Sequence, residues 1–203
     1  MAADTVGGVP HVDSAECVLV VIDAQDGFYP ASRADVDRGR LHAALDRIGW
    51  VVGVATALGI PVVVTEEDPA TNGPTAPAIT RFLPVDAVRH EKVVFGAPDN
   101  PGIAAAVATT GRPTVVLVGM ETDVCVAHSA MGWRDLGHRV VVIGDAVYSA
   151  GEAHAFGLAR LRQEGIELLS AKEAYYEWLR TLPAVRAFDT AHPGLATPPG
   201  FSL

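Results

Sequence analysis

The sequence is short of cysteine, of long apolar runs and of positive charge, and each shortage excludes something. Two cysteines in 203 residues, Cys17 and Cys125, cannot build a disulfide framework or a zinc site. Both are expected to be free thiols of a reducing compartment, which points to the cytoplasm. No apolar run approaches the roughly 18 residues that a membrane span needs. The opening stretch MAADTVGGVPHVDSAE is acidic and lacks the basic-then-apolar pattern of a signal peptide. Fifteen Lys and Arg face 24 Asp and Glu, for a formal charge of −9, and the basic residues form no stripe. Neither a nucleic-acid footprint nor a membrane partner is therefore expected. What the chain has in quantity is apolar side chain, 49% of its residues, and enough length to bury a sizeable core.

That apolar content is organised. Near-continuous β-branched runs recur at CVLVVID (17–23), IPVVVTE (60–66), TVVLVGM (114–120), RVVVIGD (139–145) and, shorter, IELLSA (166–171). A weaker run, EKVVF, covers 91–95 and opens on Lys92. Runs of this kind suit strands buried on both faces. Between them lie helical patterns at 41–58, 100–109, 124–136, 152–164 and 172–182, with Gly59, Gly111, Gly137 and Gly165 placed as stop signals. The alternation predicts an α/β fold with a parallel sheet and helices on both faces. No repeat or interdomain linker divides the chain. Residues 1–203 read as one domain with a core over about 16–182 and irregular tails. EEDPATNGPTAP (66–77) reads as a turn-rich loop.

In open α/β sheets ligands bind at the carboxyl ends of strands, near the point where strand order reverses. Three chemically useful residues lie near such ends. Asp23 closes the first strand, in VVIDAQDGF, where a carboxylate is costly unless paired or solvated. Lys92 belongs to the weak third strand. Cys125 follows the fourth strand at the start of a helix, in VGMETDVCV. A helix N-terminus and a nearby ammonium lower a thiol pKa from about 8.5 into the range of roughly 3.5–7.5. An Asp can take the thiol proton and deliver it to a leaving nitrogen. Backbone N–H groups at the turn can receive a developing oxyanion. Cys17, at the start of a strand, reads instead as a small apolar filler.

VVIDAQDGF, a Lys followed three residues on by Phe95, and VVLVGMETDVCV, in that order, resemble the isochorismatase-like cysteine hydrolases from about residue 16 to residue 180. The stretch GMETDVCVAHSAMGWRDLGHRVVVIGDAVYS carries the most specific part of the likeness. The resemblance implies a Rossmann-like, six-stranded parallel sheet of order 3-2-1-4-5-6. It implies Asp23 as acid/base, Lys92 as the cation that stabilises the thiolate, and Cys125 as nucleophile. It also implies a non-proline cis peptide at Met120–Glu121, with the N–H groups of Glu121 and Cys125 as an oxyanion hole, and a homo-oligomer. Gln25, Phe28, Phe95, His128, Trp133 and Tyr148 are candidate pocket residues. Thr122 and Asp123 are candidates for the helix N-cap, with Asp123 and Asp145 read as structural.

Three departures bear on the expectation. Nicotinamidases of this family bind a metal through an Asp-x-His…His cluster after the second strand. The corresponding stretch here, TEEDPATNGPTAPAI, has no histidine. Glu66, Glu67 and Asp68 could attract a hard cation, but acidic loops are usually just solvated, so neither a catalytic metal nor any other cofactor is expected. True isochorismatases use no cysteine nucleophile, so Cys125 argues against vinyl-ether hydrolysis. FGAPDN carries Pro98 where relatives often have an aromatic, which leaves substrate size open. The expectation is a metal-free hydrolase that cleaves a carbon–nitrogen bond of a small amide or carbamoyl compound through a thioester. The alternatives are a vinyl-ether hydrolase and a non-catalytic family member acting as a binding or assembly protein.

Overall fold

The computed structural model describes residues 11–201. The extreme N-terminal stretch read above as lacking a signal pattern lies partly outside those residues. Six strands, β1 (Cys17–Ile22), β2 (Val62–Glu67), β3 (Arg89–Lys92), β4 (Thr114–Met120), β5 (Arg139–Tyr148) and β6 (Glu167–Leu169), form one parallel sheet of order 3-2-1-4-5-6. This is the predicted order. Among the described residues eight α-helices accompany them: α1 (Arg38–Ala57), α2 (Pro69–Asn72), α3 (Pro77–Thr80), α4 (Pro101–Thr109), α5 (Ala127–Asp135), α6 (Ala153–Gln163), α7 (Ala171–Leu179) and α8 (Leu182–Ala191).

The strand pattern explains the two cores. Along β1, Cys17, Leu19 and Val21 enter one cluster, which also contains residues of α1, α7 and α8. Val18, Val20 and Ile22 enter the other, with residues of α4, α5 and α6. Side chains alternate across a strand, so a strand that is apolar at every position feeds both layers. All six residues of β1 are buried, as are all seven of β4.

β1 and β4 lie side by side over six residue pairs, from Cys17↔Thr114 to Ile22↔Gly119. Gly119 has φ 127°, and a Cβ there would stand 1.9 Å from the Ile22 carbonyl oxygen. Only glycine permits that approach. The sheet's middle strands are thus pressed together where Asp23 and the Cys125 turn emerge.

The third strand departs from expectation. It runs over Arg89–Lys92 rather than 91–95, and Lys92 closes it. The ladder with β2 stops at Glu67↔Lys92. Beyond it Val93 and Phe95 are exposed, at 87% and 54%. As an edge strand paired on one side only, β3 carries the charged residues RHEK rather than an apolar run.

The C-terminal region is more regular than expected. Helix α8 is capped by Thr181, whose side chain accepts from Ala184 N, and buries Val185 and Phe188. The segment after it folds back on α1. Trp50 Nε1 donates to Leu195 O at 2.9 Å, and Arg47 Nε donates to Pro199 O at 3.2 Å. The loop after β2 also holds two short helical turns, α2 and α3.

Candidate active site

Parallel packing delivers four polar side chains to one place, at the carboxyl ends of β1, β2, β3 and β4. Asp23, the first residue past β1, turns in the left-handed region at φ 42°. An Asp tolerates that conformation better than most residues. Its N–H and carboxylate are both tied to Thr65 of β2. Asp23 N donates to Thr65 O at 3.2 Å, and Thr65 Oγ1 donates to Asp23 Oδ1 at 2.6 Å. The other oxygen, Oδ2, stands 2.6 Å from Lys92 Nζ. Both side chains of this ion pair are completely buried.

Lys92 Nζ also donates to Cys125 Sγ at 3.6 Å and to the Val94 carbonyl at 2.9 Å. The structure therefore brings Asp23, Lys92 and Cys125 together. The peptide bond Met120–Glu121 is cis. After it the chain winds through a wide π-type turn, Thr122–Val126, before α5 begins at Ala127. Helix α6 comes close enough to support this turn because it carries Gly157. A Cβ there would lie 2.7 Å from Asp123 N.

Glu67 is the residue the sequence reading assigned wrongly, to an acidic loop. It is the last residue of β2, and Cys125 Sγ donates to its Oε2 at 3.0 Å. The same oxygen lies 3.5 Å from Lys92 Nζ. The signal that could have found it is the strand-end rule applied to β2, extended one residue beyond VVVTE. Its neighbours in sequence do other work. Glu66 Oε1 accepts from Thr75 N at 2.7 Å and Thr75 Oγ1 at 2.6 Å, which pins the loop, while Asp68 is exposed. The three acids of 66–68 thus point three ways.

One donor atom each from Asp23, Glu67 and Cys125 lies within 4.8 Å of the others, a spacing able to hold a cation. The Lys92 ammonium stands within 3.6 Å of all three. A fixed cation of the protein's own thus fills the donor set.

The electrostatics overturn one expectation. Burial pushes the Cys125 thiol well up, and the charge of Asp23 and the hydrogen bond to Glu67 push the same way against Lys92. Cys125 therefore rests as a thiol, not as the lowered thiolate a helix start and one ammonium would give. Two carboxylates share that ammonium, and water is excluded, which explains the reversal. Burial also raises Asp23, opposed by Lys92. Burial works to lower Lys92, but Asp23 outweighs it and the net displacement is upward.

The remaining candidates scatter. Gln25 is completely buried and is no pocket wall. Its Oε1 accepts from Glu67 N at 2.7 Å, and its Nε2 donates to Glu67 O at 3.1 Å and to Gly73 O at 2.6 Å. Trp133, 1% exposed, sits within the core beneath α5, because it falls on the helix face turned to the sheet. Phe28 is half-buried, edge-on to Tyr29. Phe95 and His128 are exposed and meet edge to face, with centroids 6.0 Å apart. Tyr148 lines a cavity of about 490 Å³ with Arg40, Arg47, Asp145 and His154, and Cys125 does not border it. A hollow of about 210 Å³ is bordered by Lys92, Asp68 and Asn100, and Cys125 does not border it either. Neither Thr122 nor Asp123 caps the turn. Thr122 Oγ1 pairs with His154 Nδ1 at 2.9 Å, and Asp123 Oδ1 accepts from Ser149 Oγ at 2.6 Å. Asp145 holds the start of α7, accepting from Ala171 N at 2.7 Å.

With this geometry in view, the likeness to known proteins has a physical footing. The isochorismatase domain family matches residues 17–173, from the first residue of β1 into α7. The chain belongs to the isochorismatase family of hydrolases. Isochorismatase domain-containing protein 2 of Danio rerio is 27% identical over 164 residues, covering 79% of this chain and 78% of that protein. The probable hydrolase YcaC of Escherichia coli is 24% identical over 188 residues, covering 90% and 88%. The crystal structure of the Escherichia coli YcaC gene product, described as an octameric hydrolase of unknown specificity, superposes with a TM-score of 0.77 at 22% identity, over 93% and 94% of the two chains. A cysteine hydrolase from Pseudomonas syringae pv. phaseolicola superposes at 0.70, with 14% identity, over 82% and 93%. No helix among the described residues is long and apolar enough to cross a membrane.

Proposed function

We propose that the protein is a cysteine hydrolase that cleaves a carbon–nitrogen bond of a small amide or carbamoyl compound. The observation that carries this reading is the Lys92 ammonium, 2.6 Å from Asp23 and 3.6 Å from Cys125 Sγ. Cys125 attacks the carbonyl once its proton is taken by a carboxylate of the site, for which the family likeness supplies Asp23. Lys92 then faces a thiolate and holds its charge. The oxyanion rests on backbone N–H groups of the turn, those of Glu121 and Cys125. Amine or ammonia leaves, and water hydrolyses the thioester. No step calls for a metal or another cofactor.

A resting thiol beside a base fits proton transfer in step with attack. The name of the cysteine hydrolase from Pseudomonas syringae supports thiol chemistry on this fold. We extend the reading to a homo-oligomer, supported by the octameric description of YcaC, and to the cytoplasm, supported by two thiols carried unpaired. Light scattering on the purified chain tests the first of these.

A turnover screen over small amides, ureas and carbamoyl acids, with Cys125→Ala as the blank, tests the function. A compound hydrolysed by the wild type and not by the blank is the expected result. Hydrolysis of isochorismate that survives Cys125→Ser would replace this reading with vinyl-ether chemistry.

A further inference from the structure

The charges of the site do not balance. Asp23 and Glu67 set two carboxylates against one ammonium, that of Lys92. Lys92 Nζ stands nearer Asp23, at 2.6 Å, than Glu67, at 3.5 Å, and the side chains of Asp23 and Lys92 are both completely buried. The surplus negative charge therefore falls on Glu67, whose side chain keeps 21% of its surface exposed. That carboxylate is fixed in place. Its backbone is bonded by the Gln25 side chain and by Asn72 Nδ2, and its Oε2 accepts from Cys125 Sγ at 3.0 Å. Oε1 has no hydrogen-bond partner among the described residues.

The surplus persists through the acyl transfer. When the S–H proton moves to Asp23, whose side chain also hydrogen-bonds Cys125, the charge cancelled on the carboxylate reappears on sulfur. When sulfur adds to a neutral carbonyl, that charge moves on to oxygen. At each stage one ammonium faces two negative charges, and the one on Glu67 is never consumed. A charge so close to the reacting carbon, largely removed from water, attracts a cation on the substrate and repels an anion.

We propose that Glu67 is a specificity-determining residue, which selects amide or carbamoyl compounds carrying a protonated amine or other cation one or two carbons from the scissile carbonyl and rejects those with a carboxylate there. This narrows the cysteine-hydrolase reading, on which it rests, and Asp23 keeps the acid/base role. In the adduct the carbonyl carbon is bonded to Sγ. A cation one or two carbons further on is then within reach of a carboxylate that already touches the sulfur, and Oε1 is the atom left to receive it.

The test uses three methanethiosulfonates that share a reactive group and differ in charge: 2-aminoethyl (cationic), methyl (neutral) and 2-sulfonatoethyl (anionic). Each converts the Cys125 thiol to a mixed disulfide and releases methanesulfinate. Rates at pH 7 are read by peptide mass spectrometry on the whole protein, with Cys125→Ala as the blank. Dividing the cation's rate by the anion's cancels any change in the thiol's own reactivity, which the methyl reagent reports and which a merely structural role for Glu67 would alter. Relative to free cysteine, the wild type is expected to favour the cation by about tenfold or more at low salt, and less as salt rises. Glu67→Gln keeps the side chain's size and its backbone bonds. It is expected to lower the ratio by about tenfold or more, because the cation loses attraction and the anion loses repulsion together. Glu67→Asp, which keeps the charge, is expected to hold the ratio within about threefold of wild type, and Asp68→Asn, which removes the exposed acid next in sequence, within about twofold. A ratio unchanged in Glu67→Gln, or lowered as far in Asp68→Asn, overturns the proposal and leaves Cys125 as the nucleophile. A wild type without the cation preference overturns it as well, whether or not the variants fold. Failure of Cys125 to react with any of the three overturns the nucleophile reading, and the specificity role with it.

Discussion

The chain carries two buried thiols at opposite ends of adjacent strands. Cys17 opens β1 at the amino edge of the sheet, and Cys125 follows β4 at the carboxyl edge. Both are buried, and burial raises both, Cys17 to about 12. Their neighbours differ. Cys17 lies in the apolar cluster, with the Ser14 carbonyl 3.9 Å from its sulfur. Cys125 has a carboxylate at 3.0 Å and an ammonium at 3.6 Å. A lowered resting pKa is therefore not what separates a filler thiol from a candidate nucleophile in this molecule. The difference is a proton acceptor and a cation already in place, supplied because parallel strands all end on the same side.

The largest effect expected from breaking this contrast is on turnover. Cys125→Ala should lower hydrolysis of a substrate found by the screen by about 10⁴-fold or more, whereas Cys17→Ala should leave it within twofold of wild type. Equal losses in the two variants would remove the distinction. Lys92→Met gives Cys125 surroundings closer to those of Cys17. It removes the cation and leaves Asp23 buried without its partner, at a cost of about 3–5 kcal/mol, measured by urea denaturation. A loss below about 1 kcal/mol would mean that the pair contributes little.

A smaller effect appears in alkali. A thiol whose folded pKa is raised contributes stability that is complete below the unfolded value and is lost as pH rises. For Cys17 the window runs from about 9 to about 12. Across it the wild type should lose about 1.4 kcal/mol more per pH unit than Cys17→Ala, as seen by denaturation at several alkaline pH values. The smallest expected effect is that of Cys17→Ala at neutral pH, about 0.5–1.5 kcal/mol for the small void it leaves.

Much of this was legible before the structure. Strands apolar at every position, such as CVLVVI and TVVLVGM, announce burial on both faces, and with their glycine-ended helices they gave the parallel sheet. Asp23 and Cys125 were legible because they break strong apolar runs at strand ends. Lys92 was found, but at the wrong end of its strand. The edge strand RHEK is held by backbone pairing to β2 and not by apolar side chains, so the exposed Val93 and Phe95 misled the reading. Glu67 was illegible for a related reason. In EED nothing local tells the residue facing the site from one that braces a loop or one that faces water. Only the register with β3 and the arrival of Cys125 from β4 make that choice. Helix α8 was overlooked because it carries a proline in its first turn and only two deeply buried residues, Val185 and Phe188.

Gln25 has a consequence for how the site is built. Past Asp23, whose N–H still donates to the Thr65 carbonyl, the backbones of β1 and β2 part, yet the Gln25 amide offers Glu67 one acceptor and one donor, as a neighbouring peptide would. It is an extra rung, made from a side chain, on a ladder whose backbone has already ended. Glu67 is thereby held as a strand residue although its side chain is partly exposed. The Glu67 carboxylate thus meets the Cys125 thiol from a backbone pinned by a buried side chain, not from a free loop.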